Sequence, residues 1–337
     1  MVTYLLRRLL LSIPPLLGIT FVTFLVSHTL PTDMVLINLG DRATQNPELV
    51  EAFRRKWGLD RPFLMQYLVY LGHLLRGDLG ISIATNRPVL AELWLSLPMT
   101  VELATLAMAV AVLVGVGLGV LAAVSRDRVV DYLARALAAT GLALPTFWFA
   151  ILLLLAFYFR LGWAPPPGRL DAGLAPPEAV TGMYLVDSLL RGNVALFVEA
   201  LAHLILPAAV LATVAVSFIT RITRASMLEV LDREYVRVAR AKGMPERRVI
   251  IRHALRNALI PIITVSGTLY AQLMSGTVMT ETIFSLPGLG RYAVSSAGSL
   301  DFPAVMGVAF VVGVIYIVIN LAVDVLYVFV NPRIRYA

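Results

Sequence analysis

The sequence predicts an all-α membrane protein with six transmembrane helices. Hydrophobic residues occupy 59% of the 337 positions and charged residues only 15%, with a mean hydropathy of +0.82. A soluble domain carries nearer a quarter charged residues, so lipid must cover part of this apolar surface. Stretches of roughly 20 uncharged or nearly uncharged residues, enough to cross the hydrocarbon core, recur along the chain. Basic residues collect on alternate connectors between them, as orientation in a bilayer requires.

The first span is Leu9–Thr32. Arg7 and Arg8 ahead of an apolar run suggest a signal peptide, but the run is longer than a signal-peptide core. No small-x-small cleavage site follows, so it reads as a retained membrane helix. The segment Pro31–Pro98 comes next. Asn46-Pro47-Glu48 starts a helix that Gly58 ends, and Asp60-Arg61-Pro62 starts another over Phe63–Leu75, too short to span and apolar enough to lie at the interface. Gly77-Asp78-Leu79-Gly80 is a turn, and Trp57, Tyr67, Tyr70 and Trp94 suit the headgroup level.

The remaining spans are Thr100–Val124, Ala136–Phe159, Ala200–Thr220, Ala258–Thr280 and Pro303–Val330. Six spans place both termini on one side. The amino terminus, Ser125–Arg135, Arg221–Asn257 and the carboxyl tail hold 17 of the 28 Lys+Arg, whereas Arg160–Glu199 and Glu281–Phe302 hold four. Both termini are therefore expected in the cytoplasm, with Pro31–Pro98 outside.

Composition and motifs exclude several chemistries. Without cysteine there are no disulfides, thiolate metal sites or thiol nucleophiles. No G-x-x-x-x-G-K-[ST] is present to cradle ATP phosphates, and Gly288-Leu289-Gly290 lacks the lysine and reads as a turn. His28, His73, His203 and His253 are scattered without ligand spacing, and no nucleophile elbow accompanies the serines. No catalytic, cofactor or metal residue is expected on this chain.

Arg221–Asn257 is the most informative stretch: 37 residues with ten Lys+Arg and four acids, patterned as two helices around Gly243-Met244-Pro245. Tyr235, Val238, Ala239 and Lys242 share one stripe at i, i+3, i+4, i+7 spacing, and Arg233, Arg237 and Arg240 share another. Arg248, Arg252 and Arg256 line a stripe of the second helix. Short amphipathic helices need a partner surface. Anionic lipid would meet the charge, and nucleic acid would too, though no reading module accompanies it; the pattern by itself leaves the partner open.

At these residues the chain resembles a known family. Glu234-Tyr235-Val236-Arg237-Val238-Ala239-Arg240-Ala241-Lys242-Gly243 is similar to the EAA motif of permease subunits in ABC transporters of the importer type, and in particular to the oligopeptide/dipeptide branch. Ala239 and Gly243 fall where the motif has its second alanine and its glycine, while Arg237 and Val238 replace its nominal Glu and first Ala. His253–Pro261, Gly58-Leu59-Asp60-Arg61-Pro62, Leu144-Pro145-Thr146-Phe147-Trp148, Thr280–Phe284, Pro287–Arg291 and Asn331–Tyr336 resemble the branch in order.

The resemblance implies a type I ABC importer permease fold and a role in peptide transport. Residues 1–98 form the first helix and an extracytoplasmic region, 99–330 a five-helix core with a coupling loop at 221–257, and 331–337 a cytoplasmic tail. It implies a second homologous permease, two ATPase subunits that carry ATP and Mg, and an extracytoplasmic substrate-binding protein. The coupling helix that docks on an ATPase would use Tyr235, Val238, Ala239, Lys242, Gly243, Met244 and Arg247. A translocation path is expected among Ser266, Thr268, Gln272 and Ser275 of the fifth span and Asn320 of the sixth, although small and polar residues also pack helices together. Di- or oligopeptides are the implied cargo, with nickel chelates, glutathione or oligosaccharides as alternatives. A passive channel or a membrane scaffold would leave the two-helix loop unexplained.

Overall fold

The computed structural model describes residues 2–29, 47–58 and 60–330; the expected helix start at Asn46, Leu59 and the tail 331–337 lie outside the described residues. Every named element among them is helical. Among the described residues five helices are long and apolar enough to cross a membrane, and one bent pair makes a sixth if counted as a single span. Contacts divide the chain into two units, Val2–Leu97 with Tyr292–Val314, and Pro98–Arg291 with Ile315–Ala337.

In the first of these units, α1 is Val2–Thr29, α2 Pro47–Trp57 and α3 Phe63–Leu75. The two short helices stand where the proline and glycine signals place them, and Gly58 has φ +64°. The Tyr67 hydroxyl of α3 donates to Leu17 O at 3.0 Å and lies 3.0 Å from Thr20 Oγ1. The Phe24 ring stacks on that of Tyr70 with centroids 5.5 Å apart. Two of the tyrosines expected at headgroup level thus hold α3 against α1, while Leu64, Met65, Leu68 and Leu75 stay exposed on its other side. At the expected turn, Gly80 N donates to Asp78 Oδ1 at 3.0 Å. Beyond it Ser82 Oγ donates to buried Asp301 at 2.5 Å, tying residues 219 apart in sequence.

The second unit is built on α4, Val89–Val124, which enters it at Pro98, followed by α5 (Val129–Ala143) and α6 (Thr146–Leu153), with a π-helical turn over Leu154–Arg160. The expected third span is therefore not one helix: α5 and α6 meet at 103°. Proline at 145 clashes with a helical residue before it and removes an amide donor. Leu144 accordingly sits at ψ 123° in extended conformation.

Helix α7 is Tyr184–Leu190 and α8 is Val194–Leu231. The loop before α7 is fastened by buried carboxylates. Asp187 accepts from Thr181 N at 2.9 Å, Thr181 Oγ1 at 2.7 Å and Gly182 N at 2.9 Å. Arg169 reaches Glu102 of α4 at 2.9 Å and lies over the Tyr184 ring.

With 38 residues, α8 runs about 57 Å at 1.5 Å per residue, far more than the roughly 30 Å hydrocarbon core. It packs on α5, α6 and α7. Gly115 and Gly119 of α4, spaced as G-x-x-x-G, let the two backbones close. A Cβ at 119 would sit 2.5 Å from Thr223 and one at 115 would sit 2.9 Å from Ile219. After α8 come α9 (Glu234–Ala241), α10 (Glu246–Arg248), a π-helical turn over Val249–Leu255, α11 (Arg256–Gly276) and α12 (Val278–Ile283). Helices α13 (Leu289–Gly298) and α14 (Phe302–Val330) complete the described chain. The expected fifth span, Ala258–Thr280, breaks at Thr277 between α11 and α12.

Candidate coupling site and translocation face

The basic stretch 221–257 is arranged differently from two helices inserted between spans. Arg221–Leu231 is the end of α8, and everything from Glu246 onward runs helically into α11. Arg, Met, Leu and Glu are good helix formers, so the spans continue through the charged residues and only 232–245 connects them.

That connector is α9 and its terminus. Gly243, at φ +75°, donates to Arg240 O at 2.9 Å, and Met244 N donates to Ala239 O at 3.3 Å. This pair of bonds is a Schellman end, which calls for glycine at the left-handed position. Met244 packs onto Val236, Ala239 and Val249 beneath α9. Across the break Arg240 grips Glu246, Nη2 to Oε1 at 2.6 Å and Nε to Oε2 at 3.2 Å, which pushes the guanidinium further above the ordinary arginine range.

The structure separates the expected coupling residues by face. Tyr235 and Val238 are 44% and 51% exposed, and Lys242, Gly243 and Arg247 are exposed with them. Met244 is half-buried, and Ala239, 6% exposed, belongs to the inner face with Val236. The outer face of α9 thus presents an apolar pair amid cations, anchored by a small core of its own.

Earlier on α8 is a pair that sequence reasoning did not single out. Arg224 of α8 donates Nε to Asp131 Oδ1 at 2.6 Å and Nη2 to Oδ2 at 2.7 Å, and Asp127 N adds a bond to Oδ2 at 3.1 Å. Asp131 is fully buried. Nothing in the spacing of residues 93 apart signals the pair.

On α11, Thr268, Gln272 and Ser275 form one exposed polar stripe, together with Thr264. The spacings of four, four and three residues keep them on one side of the helix. Thr264 accepts from Tyr327 OH of α14 at 2.7 Å. Gln272 also lines a cavity of about 440 Å³ with the start of α6, Leu211 of α8 and Thr280. The Ser266 hydroxyl is buried without a partner, away from this stripe, and Asn320 of α14 donates to Tyr316 O of its own helix at 2.8 Å.

Glu281 is a second buried acid the sequence did not single out. Its carboxyl accepts from Thr100 Oγ1 at 2.7 Å, Thr277 Oγ1 at 2.6 Å and Arg291 N at 2.8 Å. Thr100 Oγ1 accepts in turn from Leu289 N at 2.8 Å. The segments Thr280–Phe284 and Pro287–Arg291 are knitted together by this group. Among the described histidines, His203 is brought within 3.3 Å of Glu199 and 3.4 Å of Asp171.

A family model described as the binding-protein-dependent transport system inner membrane component matches residues 115–336, and the amino-terminal component of the same system matches residues 1–104. The chain belongs to this permease family. Among similar proteins is a probable D,D-dipeptide transport system permease of Escherichia coli K12, 47% identical over 94% of this chain and 93% of its own length. The dipeptide transport system permease of the same strain is 43% identical over 100% and 99% of the two chains. A dipeptide transport system permease of Alkalihalophilus pseudofirmus is 41% identical over 100% of both. The permease is thus a non-catalytic, multi-pass subunit of an ABC importer in the cell inner membrane, working with ATPase and substrate-binding partners. Its all-helical spans carry the importer permease fold that the family motifs imply.

Proposed function

We propose that this permease passes di- and oligopeptides delivered by an extracytoplasmic binding protein, and that α9 couples it to ATP hydrolysed, with Mg, on partner subunits. Relatives named for dipeptide transport that match 94% and 100% of this chain support the cargo. The observation that carries the coupling role is the exposed Tyr235–Val238 pair on a helix whose other side, Val236 and Ala239, is packed. A short helix held rigidly on its own core presents a fixed face to an ATPase cleft. Two ATPases, a second homologous permease and cytoplasmic termini complete the reading, and the excess of Arg and Lys on alternate connectors supports the orientation.

The polar stripe Thr264, Thr268, Gln272 and Ser275 faces the path in this reading, toward the second permease. The test is uptake of a labelled dipeptide into proteoliposomes holding the permease pair, the ATPases and the binding protein. Uptake that requires ATP and binding protein supports the assignment. Import of a nickel chelate, glutathione or an oligosaccharide instead would replace the cargo and leave the mechanism.

A further inference from the structure

The bend at Leu144–Pro145 leaves a helix start inside the transmembrane region. Helix α6 has no side-chain cap, and its nearest backbone bond is Phe149 N to Pro145 O at 3.0 Å. Proline has no N–H, so the amides of Thr146, Phe147 and Trp148 are first-turn donors without an intrahelical acceptor. Irregular backbone at membrane depth persists where it lines a cavity, and Pro145, Thr146 and Phe147 line the one of about 440 Å³.

A second, independent feature points at the same space. Thr280 is 2% exposed and lines the cavity, yet its hydroxyl makes no hydrogen bond within the described residues. A hydroxyl at a cavity wall with its bonding capacity unused is open to a ligand or a water. Gln272 adds an amide to the lining, which among the described residues holds no acidic or basic side chain.

Such a site has hydrogen-bond donors, the positive end of a helix dipole and apolar walls, with no fixed countercharge. From this we infer that the cavity is a transient subsite for the carboxylate end of the cargo, the free C-terminus of a small peptide, with the terminal side chain against Leu211 and Leu269. Its volume falls in the range of small-molecule pockets. Neutral donors hold an anion weakly enough to release it, which a passage site requires. The peptide's ammonium finds no partner in the lining and stays toward the open side. This inference rests on the peptide reading of the preceding section.

The experiment compares uptake of a dipeptide with that of the same dipeptide amidated at its C-terminus, by the complete importer in proteoliposomes. Each uptake is normalised to the binding protein's separately measured capture. The wild type is expected to favour the free acid by about tenfold, the worth of one hydrogen bond to a charged group. Thr280→Val and Gln272→Glu should bring that ratio toward one, the second by repelling a carboxylate. Gln272 is exposed, so its variant carries the test if Thr280→Val does not assemble. Equal transport of acid and amide by the wild type, or an unchanged ratio in both variants, overturns the subsite. Absence of any ATP-dependent dipeptide uptake by the wild type overturns the peptide reading itself.

Discussion

Arg224 clasps Asp131 with two parallel hydrogen bonds of 2.6 and 2.7 Å, fixing the last turns of α8 to the start of α5. The carboxylate is fully buried and the arginine side chain is 20% exposed, so removing one partner strands a charge away from water. Asp131→Ala or Arg224→Ala should each lower stability by about 3–5 kcal/mol, the usual cost of breaking a buried pair. Arg224→Lys loses the fork geometry and should be intermediate. Thermal unfolding of the purified permease in detergent measures all three, and unchanged melting temperatures would remove the pair from the account.

Glu281 accepts from three donors, and Glu281→Ala would leave the Thr100 and Thr277 hydroxyls and the Arg291 amide unmet. At about 1–3 kcal/mol for a lost buried partner, this variant should be among the least stable. Gly288→Ala should resemble it for a steric reason, because a Cβ at 288 would stand 2.3 Å from Glu281 Oε1. Expression and melting temperature of the two variants, compared with Ser285→Ala at an exposed neighbouring position, check the prediction.

The loop before α7 should weaken in acid. Burial raises the Asp187 carboxyl pKa, but hydrogen bonds from Thr181, Val180 and Gly182 outweigh it and hold the group below the ordinary aspartate value. A depressed folded pKa means the stabilisation is present above the unfolded value, about 3.9, and is lost as pH falls through the folded one. The stability difference between wild type and Asp187→Asn should therefore be constant near neutrality and shrink below about pH 4. A difference that grows on acidification would contradict the sign.

Gly243→Ala isolates backbone conformation from contact. No atom of the described residues lies within 4 Å of a Cβ placed there, so the cost is that of a left-handed alanine, about 1–2 kcal/mol. The alanine variant should keep ATPase binding with a modest loss of stability. A bulky residue such as tryptophan adds a protrusion on the outer face and should uncouple ATP hydrolysis from uptake. Equal behaviour of the two variants would show that only the backbone matters.

Several features were legible in the sequence because they rest on local chemistry. Proline at 47 and 62 and glycine at 58 bracket α2 and α3, and Gly243 marks the end of α9 as only a left-handed position would. The continuation of α8 through Arg221–Leu231 was not legible, since a charged segment of good helix formers reads equally as a separate helix or as an extension. The bend at Pro145 was hidden because apolar composition continues across it. Ala239 shares helical spacing with Tyr235 and Val238, yet Met244 and Val249 close over it, a tertiary choice that periodicity cannot register. The pairs Asp131–Arg224 and Thr100–Glu281 join residues too distant for any spacing rule.

In the proposed mechanism the outer face of α9 meets an ATPase subunit. The chain contains no cysteine, so a single introduced thiol is unique in it. Site-directed cross-linking in the assembled importer, with cysteine in turn at 235, 238, 242 and 236, measures the contact directly. Tyr235→Cys, Val238→Cys and Lys242→Cys should cross-link to an ATPase subunit in yields that change with ATP, while Val236→Cys, buried beneath the helix, should give none. Cross-linking from position 236 but not from 238, or from none of the outer three, would contradict the account.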